Sequence, residues 1–450
     1  MTTSEQVSAF PPLPEFMIER RPRVLLVGEA ANPEWVSVPL VGWSMASALR
    51  RTADVHLVTQ KRNNDAIARA GWVPKRDFTA IDSEAVAARV WKLTGRLRGS
   101  SGVAWTLATA MSVPSYYWFE HLLWRRFAAE LRDGAWDIVH RVTPLSPTIP
   151  SVIAHRLRDL GIPFVVGPLN GGVPWPKEFD QARRQEKEWL SYVRGAYRLL
   201  PGYKSMRDSA AAIVVGSRST WQQLGERWRA KAVYIPENAI SLCDFSGDQT
   251  RPAPLPLRLI FVGRLVPYKG ADMLVEACAD LVRAGKVRLE IVGDGPQRQT
   301  LERMVSERGI GEGVHFMGWL DHHAVARRLS QSHILGFPSI REFGGGVVLE
   351  AMAAGAAPLV VDYAGPAELV TPQTGYLVPL GTHLTIVAGL RAQIEKLVEK
   401  PHEVAETAAR GRARVERWFT WERKAEQISS VYDWVLNRGG KPEFGMPFPD

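Results

Sequence analysis

The stretch Glu342-Phe-Gly-Gly-Gly-Val-Val-Leu-Glu350 combines three consecutive glycines with an apolar run that continues to Gly355. This pattern is typical of a glycine-rich turn that opens a short buried helix. Glycines let the backbone approach a ligand closely, and a helix N-terminus carries a partial positive charge that suits a phosphate. With one carboxylate on each side, the turn predicts a site for a diphosphate that carries hydroxyl groups at both ends, as a nucleotide-sugar does. The alternative is a structural turn in which Glu350 is a solvated helix residue.

On both sides of this turn, short apolar runs alternate with helical stretches. This alternation predicts parallel sheets with helices on both faces. It lapses in the polar, proline-rich segment 246–256, which reads as a linker between two doubly wound units. The predicted strands are 23–28, 54–59, 137–140, 163–167, 211–216 and 232–236 before the linker, and 257–263, 287–293, 314–318, 334–338 and 357–361 after it.

Composition narrows the class of protein. A chain of 450 residues with 46% hydrophobic and 23% charged residues has material for two to three globular domains. Cys243 and Cys278 stand far apart in no metal-ligand pattern, which favours a reducing compartment. Neither a signal peptide nor a run long enough to span a membrane is visible, so we expect a cytoplasmic protein, soluble or peripheral on the membrane.

The net charge of +9 is uneven, with +8 in residues 1–250 and +1 in residues 251–450. No nucleic-acid-binding module is visible, so the basic half favours an anionic membrane or a phosphate-bearing acceptor over nucleic acid. A soluble basic surface explains the charge equally well. Residues 103–128 mix aromatic side chains with Arg125 and Arg126, which is typical either of a membrane or acceptor contact or of core helices with exposed arginines.

Two cations follow the predicted strand 257–263. Arg264 and Lys269 lie in a loop bounded by glycines, where a guanidinium grips phosphate oxygens bidentately and an ammonium acts as a point charge. Together they could neutralise a departing diphosphate, although a solvated basic loop has the same composition. Gly293 begins a tight turn, and Leu320 follows a strand where it could line a base pocket.

These phrases occur in a recognisable order. Across roughly residues 257–380, the chain resembles the retaining GT-B glycosyltransferases of family 4. Each motif is weak alone, and the order of all five carries the resemblance. The motifs are Gly263-Arg264…Lys269-Gly270, Gly293-Asp294-Gly295-Pro296, Gly318-Trp319-Leu320, Pro338-Ser339, and Glu342 with Glu350 followed by Ala351-Met352-Ala353-Ala354-Gly355.

The resemblance implies an α/β protein of the GT-B class, with two Rossmann-like domains facing across a cleft. Residues 1–245 would form the acceptor domain, residues 246–420 the donor domain, and a C-terminal helix within about 421–450 would pack back on the first domain. Arg264 and Lys269 would hold the diphosphate, Glu342 the transferred sugar and Glu350 the ribose. The donor site would also include Gly293, Leu320, Phe343, Gly344, Gly345 and Val347.

On the acceptor side, the resemblance places His140 at a strand end near the reacting sugar, although an imidazole bonded within the strand-end loop is the structural alternative. Gly42, Asn170 and Trp175 are the other acceptor-side candidates. The loop after the first strand departs from the family, because Gly28 is followed by Glu29 rather than by a second glycine. No Asp-X-Asp motif is present to hold Mg²⁺, so we expect transfer without a metal or other cofactor.

The predicted activity is transfer of a sugar, with retention, from a nucleoside diphosphate sugar to a hydroxyl of a glycan, lipid-linked or small-molecule acceptor. The expected setting is bacterial polysaccharide or glycoconjugate synthesis. The sequence leaves open the donor base, UDP or GDP. A GT-B epimerase and a non-catalytic sugar-nucleotide-binding subunit are the alternatives, whereas a phosphorylase would need a pyridoxal phosphate lysine that we cannot identify.

Overall fold

Two parallel β-sheets form the framework of the protein, as a computed structural model shows. The structure describes residues 20–84, 105–179, 196–245 and 253–450, with side chains from 113 and 197 in the second and third of these ranges. Most of the predicted linker 246–256 lies outside the described residues. Each sheet is built from buried, largely apolar strands, as expected where helices cover both faces.

The first sheet has seven strands in the order β3-β2-β1-β4-β5-β6-β7. All its neighbouring strands run parallel. The strands are β1 (Arg23–Gly28), β2 (Asp54–Gln60), β3 (Phe78–Ile81), β4 (Ile138–Thr143), β5 (Phe164–Leu169), β6 (Ala212–Val215) and β7 (Ala232–Tyr234).

The second sheet has six strands in the order β10-β9-β8-β11-β12-β13. It too is parallel throughout. The strands are β8 (Leu257–Val262), β9 (Val287–Val292), β10 (Val314–Gly318), β11 (Ile334–Phe337), β12 (Ala357–Val361) and β13 (Tyr376–Val378).

Helices connect the strands and cover the sheets. With the first sheet lie α1 (Val38–Leu49), α2 (Asn64–Arg69), α3 (Trp105–Arg132), α4 (Ala154–Asp159), α5 (Tyr203–Ser209), α6 (Arg218–Gln223) and α7 (Glu226–Arg229). After β8 follow α8 (Ala271–Arg283), α9 (Arg298–Glu307), α10 (His322–Gln331), α11 (Gly346–Ala353), α12 (Ala364–Leu369), α13 (His383–Glu399), α14 (Pro401–Trp418) and α15 (Trp421–Val435).

Both sheets reverse their strand order at one place, between β1 and β4 in the first and between β8 and β11 in the second. Loops that leave such neighbouring strands diverge to opposite faces and open a crevice at the carboxyl edge, where ligands of doubly wound sheets bind. The loop after β8 carries Arg264 and Lys269, and the loop after β11 carries Glu342. The topology therefore brings these three side chains to one crevice.

The last helix returns to the first sheet. Ala425, Ile428 and Tyr432 of α15 share one buried cluster with Val24 and Leu26 of β1. Arg51, just after α1, pairs with Glu422 at 2.7 Å. The helix therefore completes the core of the domain that begins the chain.

The structure corrects several predicted elements. Strand β4 continues to Thr143 rather than ending at His140. Strands β3 and β13 were not predicted. The last residues of the chain are packed, since Phe448 is only 1% exposed.

None of the described helices is both long enough and apolar enough to cross a membrane. The aromatic stretch predicted at 103–128 falls largely within α3, and residues 103 and 104 lie outside the described residues. Tyr116, Phe119 and Phe127 of α3 are buried, whereas Arg125 and Arg126 are exposed. For the described side chains, the core interpretation of this stretch accounts for the pattern, with Trp118 partly exposed.

Candidate active site

The crevice of the second sheet holds a half-buried ion pair. The Lys269 ammonium bonds the Glu342 carboxylate, with 16% and 21% of the two side chains exposed. Lys269 stands at the end of a short 3-10 turn, and its Nζ lies 4.9 Å from the centre of the Phe337 ring. A low-dielectric wall on one side strengthens the field of both charges toward the open side. The pair can therefore bind a ligand that carries both kinds of group, with the ammonium near phosphate oxygens and the carboxylate near hydroxyl groups.

The glycine-rich turn opens α11 as the sequence predicts. Gly345 takes the left-handed conformation at φ 64° and begins the helix without any side-chain cap. The amide groups of the first turn then point at the crevice with the positive end of the helix dipole. Phe343, Gly344 and Val347 are partly accessible beside them. This arrangement suits an anionic group of a ligand.

Gly344 lies against the other domain. A Cβ at this position would stand 2.1 Å from Asn238 Nδ2 and 2.2 Å from Glu237 Oε1, so a larger residue would displace these two side chains. Glu237 and Asn238 follow strand β7 of the first sheet. The loop between β11 and α11, here called the donor loop because the sequence predicts donor binding there, therefore contacts the loop that follows β7 in the other domain.

Asn170 stabilises this contact between the two domains. Its Nδ2 donates to both oxygens of Glu237 at 2.8 Å and to the Phe343 carbonyl at 3.1 Å. Burial raises the pKa of Glu237, and the nearby Glu342 carboxylate raises it further, while Asn170 and Lys424 oppose the shift. The acceptor-side candidate Asn170 thus connects the two domains at the donor loop.

Glu350 lies on α11, where burial raises its pKa. The nearest charged partner is His322 of α10, whose Nδ1 is 4.0 Å from Glu350 Oε1. Protonation of His322 would favour the carboxylate, in line with its lowering effect on that pKa. The Glu350 side chain is still 22% exposed, so it remains accessible to hydroxyl groups of a ligand.

Three other predicted donor residues surround this centre. The side chain of Arg264 is exposed and forms no hydrogen bond or ion pair with any residue in the described part of the chain, so its guanidinium is available to a phosphate. Gly293 donates its amide to the Gly318 carbonyl at 2.7 Å, and a Cβ there would lie 2.0 Å from the Gly263 carbonyl. Leu320 is partly buried beside Trp319, which is 76% exposed. Gly293 therefore holds neighbouring strand-end loops together rather than offering a side chain.

The structure does not place His140 in the crevice. It is fully buried within β4, with its Nε2 2.7 Å from the Gly167 carbonyl and its Nδ1 2.7 Å from the Tyr432 hydroxyl. A carbonyl only accepts, so Nε2 carries the proton and Nδ1 accepts from Tyr432. Burial lowers the pKa of His140 to about 4. The neutral imidazole ties the first sheet to α15, and the expectation of a cleft-facing histidine is wrong because β4 extends three residues past it.

The remaining acceptor-side candidates lie near the domain contact or beneath it. Trp175 is buried with its ring 6.0 Å from that of Tyr268, and the Arg341 guanidinium lies 4.8 Å from its centroid. Gly42 is buried in α1, where a Cβ would stand 2.4 Å from the Ala30 carbonyl. Trp175 therefore meets the neighbours of both Lys269 and Glu342, whereas Gly42 supports the loop after β1.

Sequence reasoning missed Glu237, Asn238 and Lys424. The first two follow β7 directly, so a search for polar residues at strand ends would have found them. Lys424 is fully buried on α15, and its pKa falls to about 7 because burial outweighs the attraction of Glu237. Its position could not be inferred, because α15 reads as an ordinary amphipathic helix.

Among the residues that the structure describes, no three His, Cys, Asp or Glu side chains are grouped so as to hold a metal ion. The charged side chains that the sequence predicts for this crevice are Arg264, Lys269, Glu342 and Glu350. Two cations stand near the predicted diphosphate position, and two carboxylates flank it.

Residues 249–411 match the family described as glycosyl transferases group 1. A GDP-mannose-dependent monoacylated alpha-(1-6)-phosphatidylinositol monomannoside mannosyltransferase of Corynebacterium glutamicum is 32% identical over 177 residues, which are 37% of this chain and 45% of that protein. A D-inositol 3-phosphate glycosyltransferase of Gordonia bronchialis is 32% identical over 184 residues, which are 38% of this chain and 39% of that protein. The chain spans less than half the length of these curated relatives.

Solved structures match over nearly the whole chain. The sucrose-phosphate synthase of Thermosynechococcus elongatus aligns with a TM-score of 0.59 at 19% identity, covering 93% of this chain and 100% of that one. A glycosyltransferase from Rickettsia africae aligns with a TM-score of 0.61 at 13% identity, with the same coverage. The chain thus has the two-domain GT-B fold, and the match to the glycosyl transferases group 1 lies within its second half, at residues 249–411.

Proposed function

We propose that the protein is a retaining glycosyltransferase of family 4, which moves a hexosyl group from a nucleoside diphosphate sugar to a hydroxyl of its acceptor. The observation that carries this proposal is the crevice of the second sheet. There Lys269, after β8, pairs with Glu342, which shortly precedes the N-terminus of α11, and the same helix carries Glu350. Few ligands other than a sugar joined to a nucleoside diphosphate need this order of groups.

Each group has a separate part in this proposal. Lys269, Arg264 and the first turn of α11 hold the diphosphate and stabilise the charge that builds on it as the glycosidic bond breaks. Glu342 accepts hydrogen bonds from hydroxyls of the transferred sugar, and Glu350 accepts them from the ribose. The two side-chain cations and the helix end replace a metal ion, so excess EDTA should leave the activity unchanged.

The transfer itself proceeds on one face of the sugar. The bond between C1 and the diphosphate oxygen breaks while the acceptor oxygen forms a bond to C1 on the same side. The acceptor proton passes to the departing phosphate oxygen, which balances the step without a protein nucleophile. The hydrogen bond from Asn170 to the Phe343 carbonyl joins the two domains beside the Glu342 loop.

The relatives suggest the range of substrates. A mannosyltransferase in this group depends on GDP-mannose, and a structurally similar protein of Anabaena has been crystallised with UDP. We propose a glycan, a lipid-linked or a small-molecule acceptor that is used in bacterial polysaccharide or glycoconjugate synthesis. The donor base is an experimental question, and UDP and GDP are the two nucleotides to test first.

Calorimetry with UDP and GDP, followed by turnover assays, tests the proposal. Glu350→Gln should weaken binding of the free nucleotide at least tenfold, because a charged hydrogen bond contributes on the order of 2 kcal/mol. Glu342→Gln should leave nucleotide binding intact and lower kcat. Glu395→Gln, an exposed carboxylate on α13, is the matched control. Failure of the wild type to bind either nucleotide would refute the proposal, and nucleotide release that needs no acceptor would favour another class of enzyme.

We further propose that the protein works in the cytoplasm, with a peripheral contact to an anionic membrane. The support is the charge of +8 in residues 1–250 together with the exposed Arg125 and the partly exposed Trp118 of α3. Each basic residue near such a surface contributes about 1 kcal/mol, and salt screens the attraction. Sedimentation with phosphatidylserine-containing and with neutral vesicles decides it, and equal binding to both at low salt rules the contact out.

A further inference from the structure

A buried carboxylate stands where loops of the first domain meet the donor loop. Glu237 follows β7 and is 5% exposed. A Cβ added at Gly216, after β6, would lie 2.6 Å from its Oε2, and one added at Gly344 would lie 2.2 Å from its Oε1. Asn170, after β5, donates to both of its oxygens at 2.8 Å. The Glu237 carboxylate therefore lies between the strand-end loops of its own domain and the donor loop of the other.

The orientation of the Asn170 side chain depends on this carboxylate. Its amide nitrogen donates to the Glu237 oxygens and to the Phe343 carbonyl. Its Oδ1 is buried and, within the described part of the chain, has no hydrogen-bond partner. If the amide rotated by half a turn, Oδ1 would face the Glu237 and Phe343 oxygens. An ionised Glu237 disfavours that orientation because it only accepts hydrogen bonds, whereas a neutral Glu237 could donate to Oδ1 and stabilise it.

The bond from Asn170 fixes the backbone beside Glu342. Phe343, whose carbonyl accepts it, is the next residue in the chain. The Glu342 carbonyl accepts from the Gly365 amide of α12 at 3.3 Å, and the Glu342 side chain pairs with Lys269. Asn170 thus supplies a hold from the first domain, next to two holds from the second. If the Asn170 amide turned, the Phe343 carbonyl would lose this donor and the backbone beside Glu342 would be freer to shift.

The charge of Glu237 is set by its neighbours. The titratable groups that act on it are Lys424 of α15, Glu342 of the donor loop, Glu368 of α12 and Tyr234 of β7. Burial raises the pKa of Glu237 and the Glu342 carboxylate raises it further, whereas the Lys424 ammonium lowers it. The carboxyl group therefore gains its proton at a higher pH than an exposed glutamate does.

We propose that Glu237 is a positioning residue for the transferred sugar: its carboxylate orients Asn170, and Asn170 fixes the backbone from which Glu342 reaches the sugar hydroxyls. Glu237 acts through Asn170 and does not itself contact the sugar. This inference rests on the proposed function for the identity of the ligand, because only that function assigns Glu342 to a sugar. The hold on the donor loop requires no ligand.

Hydrogen exchange of the donor loop, followed by mass spectrometry without any ligand, tests this hold. Glu237→Gln keeps the shape of the side chain and removes its charge, so amides within residues 341–347 should exchange about tenfold faster than in the wild type. Glu237→Asp retains a carboxylate and should recover part of the protection. Glu226→Gln, which removes an exposed carboxylate from the same domain, is the matched control. Equal exchange in Glu237→Gln and Glu226→Gln would overturn the inference.

Calorimetry separates the sugar from the nucleotide. The probes are UDP with UDP-glucose and GDP with GDP-mannose, and the measured quantity is the Kd of the nucleotide divided by that of its nucleotide-sugar. Glu237→Gln should lower this ratio by about tenfold while the Kd of the free nucleotide stays within about twofold of the wild-type value. A merely structural role would weaken the binding of both ligands alike. Such a parallel loss, or an unchanged ratio, would contradict the positioning role.

The pH dependence of the same ratio needs only the wild type, which guards against failure of Glu237→Gln to fold. The ratio should fall as pH is lowered through the pKa of Glu237, which lies above the ordinary value of 4.5. Lys424→Met removes a cation that lowers this pKa, so the fall should begin at a higher pH. Glu237→Gln should lack the fall altogether. An equal fall in Glu237→Gln, or none in the wild type, would refute the inference.

Failure of this inference can be told from failure of the proposed function. A wild type that binds neither nucleotide refutes the proposed function, and hydrogen exchange then decides alone whether Glu237 holds the donor loop. Nucleotide binding by the wild type, with exchange and ratio both unchanged in Glu237→Gln, refutes the positioning role alone.

Discussion

Replacing Lys424 with methionine should stabilise the protein near neutral pH. The ammonium is fully buried on α15, between the rings of Phe419 and Phe448 at 5.3 Å and 5.4 Å. Its single hydrogen bond goes to Gln427 at 3.3 Å, and in the described part of the chain it has no ion pair. Glu237 is the charged group that attracts it. Methionine preserves the length of the side chain without the charge.

The magnitude follows from the pKa of Lys424, which falls from 10.5 to about 7 on folding. A change of this size corresponds to about 5 kcal/mol, and that value already contains the attraction of Glu237. The lost bond to Gln427 and relaxation around the ammonium reduce the gain, so we expect roughly 2–4 kcal/mol at pH 7. Between pH 7 and 10.5 the unfolded chain holds a proton that the folded chain releases, so the wild type gains stability as pH rises through this window.

Guanidinium unfolding followed by circular dichroism measures the effect at pH 7 and at pH 10.5. Lys424→Met should shift the midpoint upward at pH 7, and the difference from the wild type should shrink at the higher pH. Lys396→Met, an exposed position on α13, is the control. A lower midpoint at pH 7 would mean that the attraction to Glu237 outweighs burial. An equal gain at both values of pH would mean that packing rather than charge is responsible.

Three other outcomes follow from the structure. Asn170→Ala breaks the bonds to Glu237 and the Phe343 carbonyl, so kcat should fall at least tenfold while calorimetry shows nearly unchanged nucleotide binding. Burial raises the pKa of Glu368 to about 7. The stability of the wild type should therefore fall as pH rises from about 4.5 to 7. Glu368→Gln should have a higher urea midpoint than the wild type at pH 8 but not at pH 4. His140→Phe and Tyr432→Phe should each lower stability by about 1–3 kcal/mol, with a combined loss smaller than their sum in a double-mutant cycle, because both remove the same hydrogen bond.

Much of the fold was predictable because buried parallel strands read as continuous apolar runs. Strands β10 and β12 have the predicted bounds, and β1 does as well. The two missed strands, β3 and β13, are edge strands of four and three residues, too short to separate from turns by pattern. Strand β4 was predicted to end at His140, whereas it continues to Thr143 and Arg141 within it is buried.

Only part of the candidate site could likewise be predicted from the sequence. The contact between Lys269 and Glu342 could be predicted, because both residues follow strands of one doubly wound sheet and the loops at such strand ends converge. The contact of Gly344 with Glu237 could not be predicted, because it depends on how the two sheets are oriented relative to each other. No local sequence pattern indicates the relative orientation of the two sheets. The packed tail was hidden for a similar reason, since Arg414 donates to the Phe448 and Pro449 carbonyls across more than thirty residues of sequence.

The return of α15 to the first sheet has a consequence for synthesis on the ribosome. Strand β1 and helix α1 emerge early, but the apolar face of α15 that covers them is made some 400 residues later. Until then Val24 and Leu26 lack part of their cover, and His140 lacks the Tyr432 hydroxyl. The domain that leads the chain is therefore the last to complete its core, after the second domain has already had time to fold. A fragment that ends at residue 245 would present an uncovered apolar face and should aggregate, even though it holds every strand of its sheet.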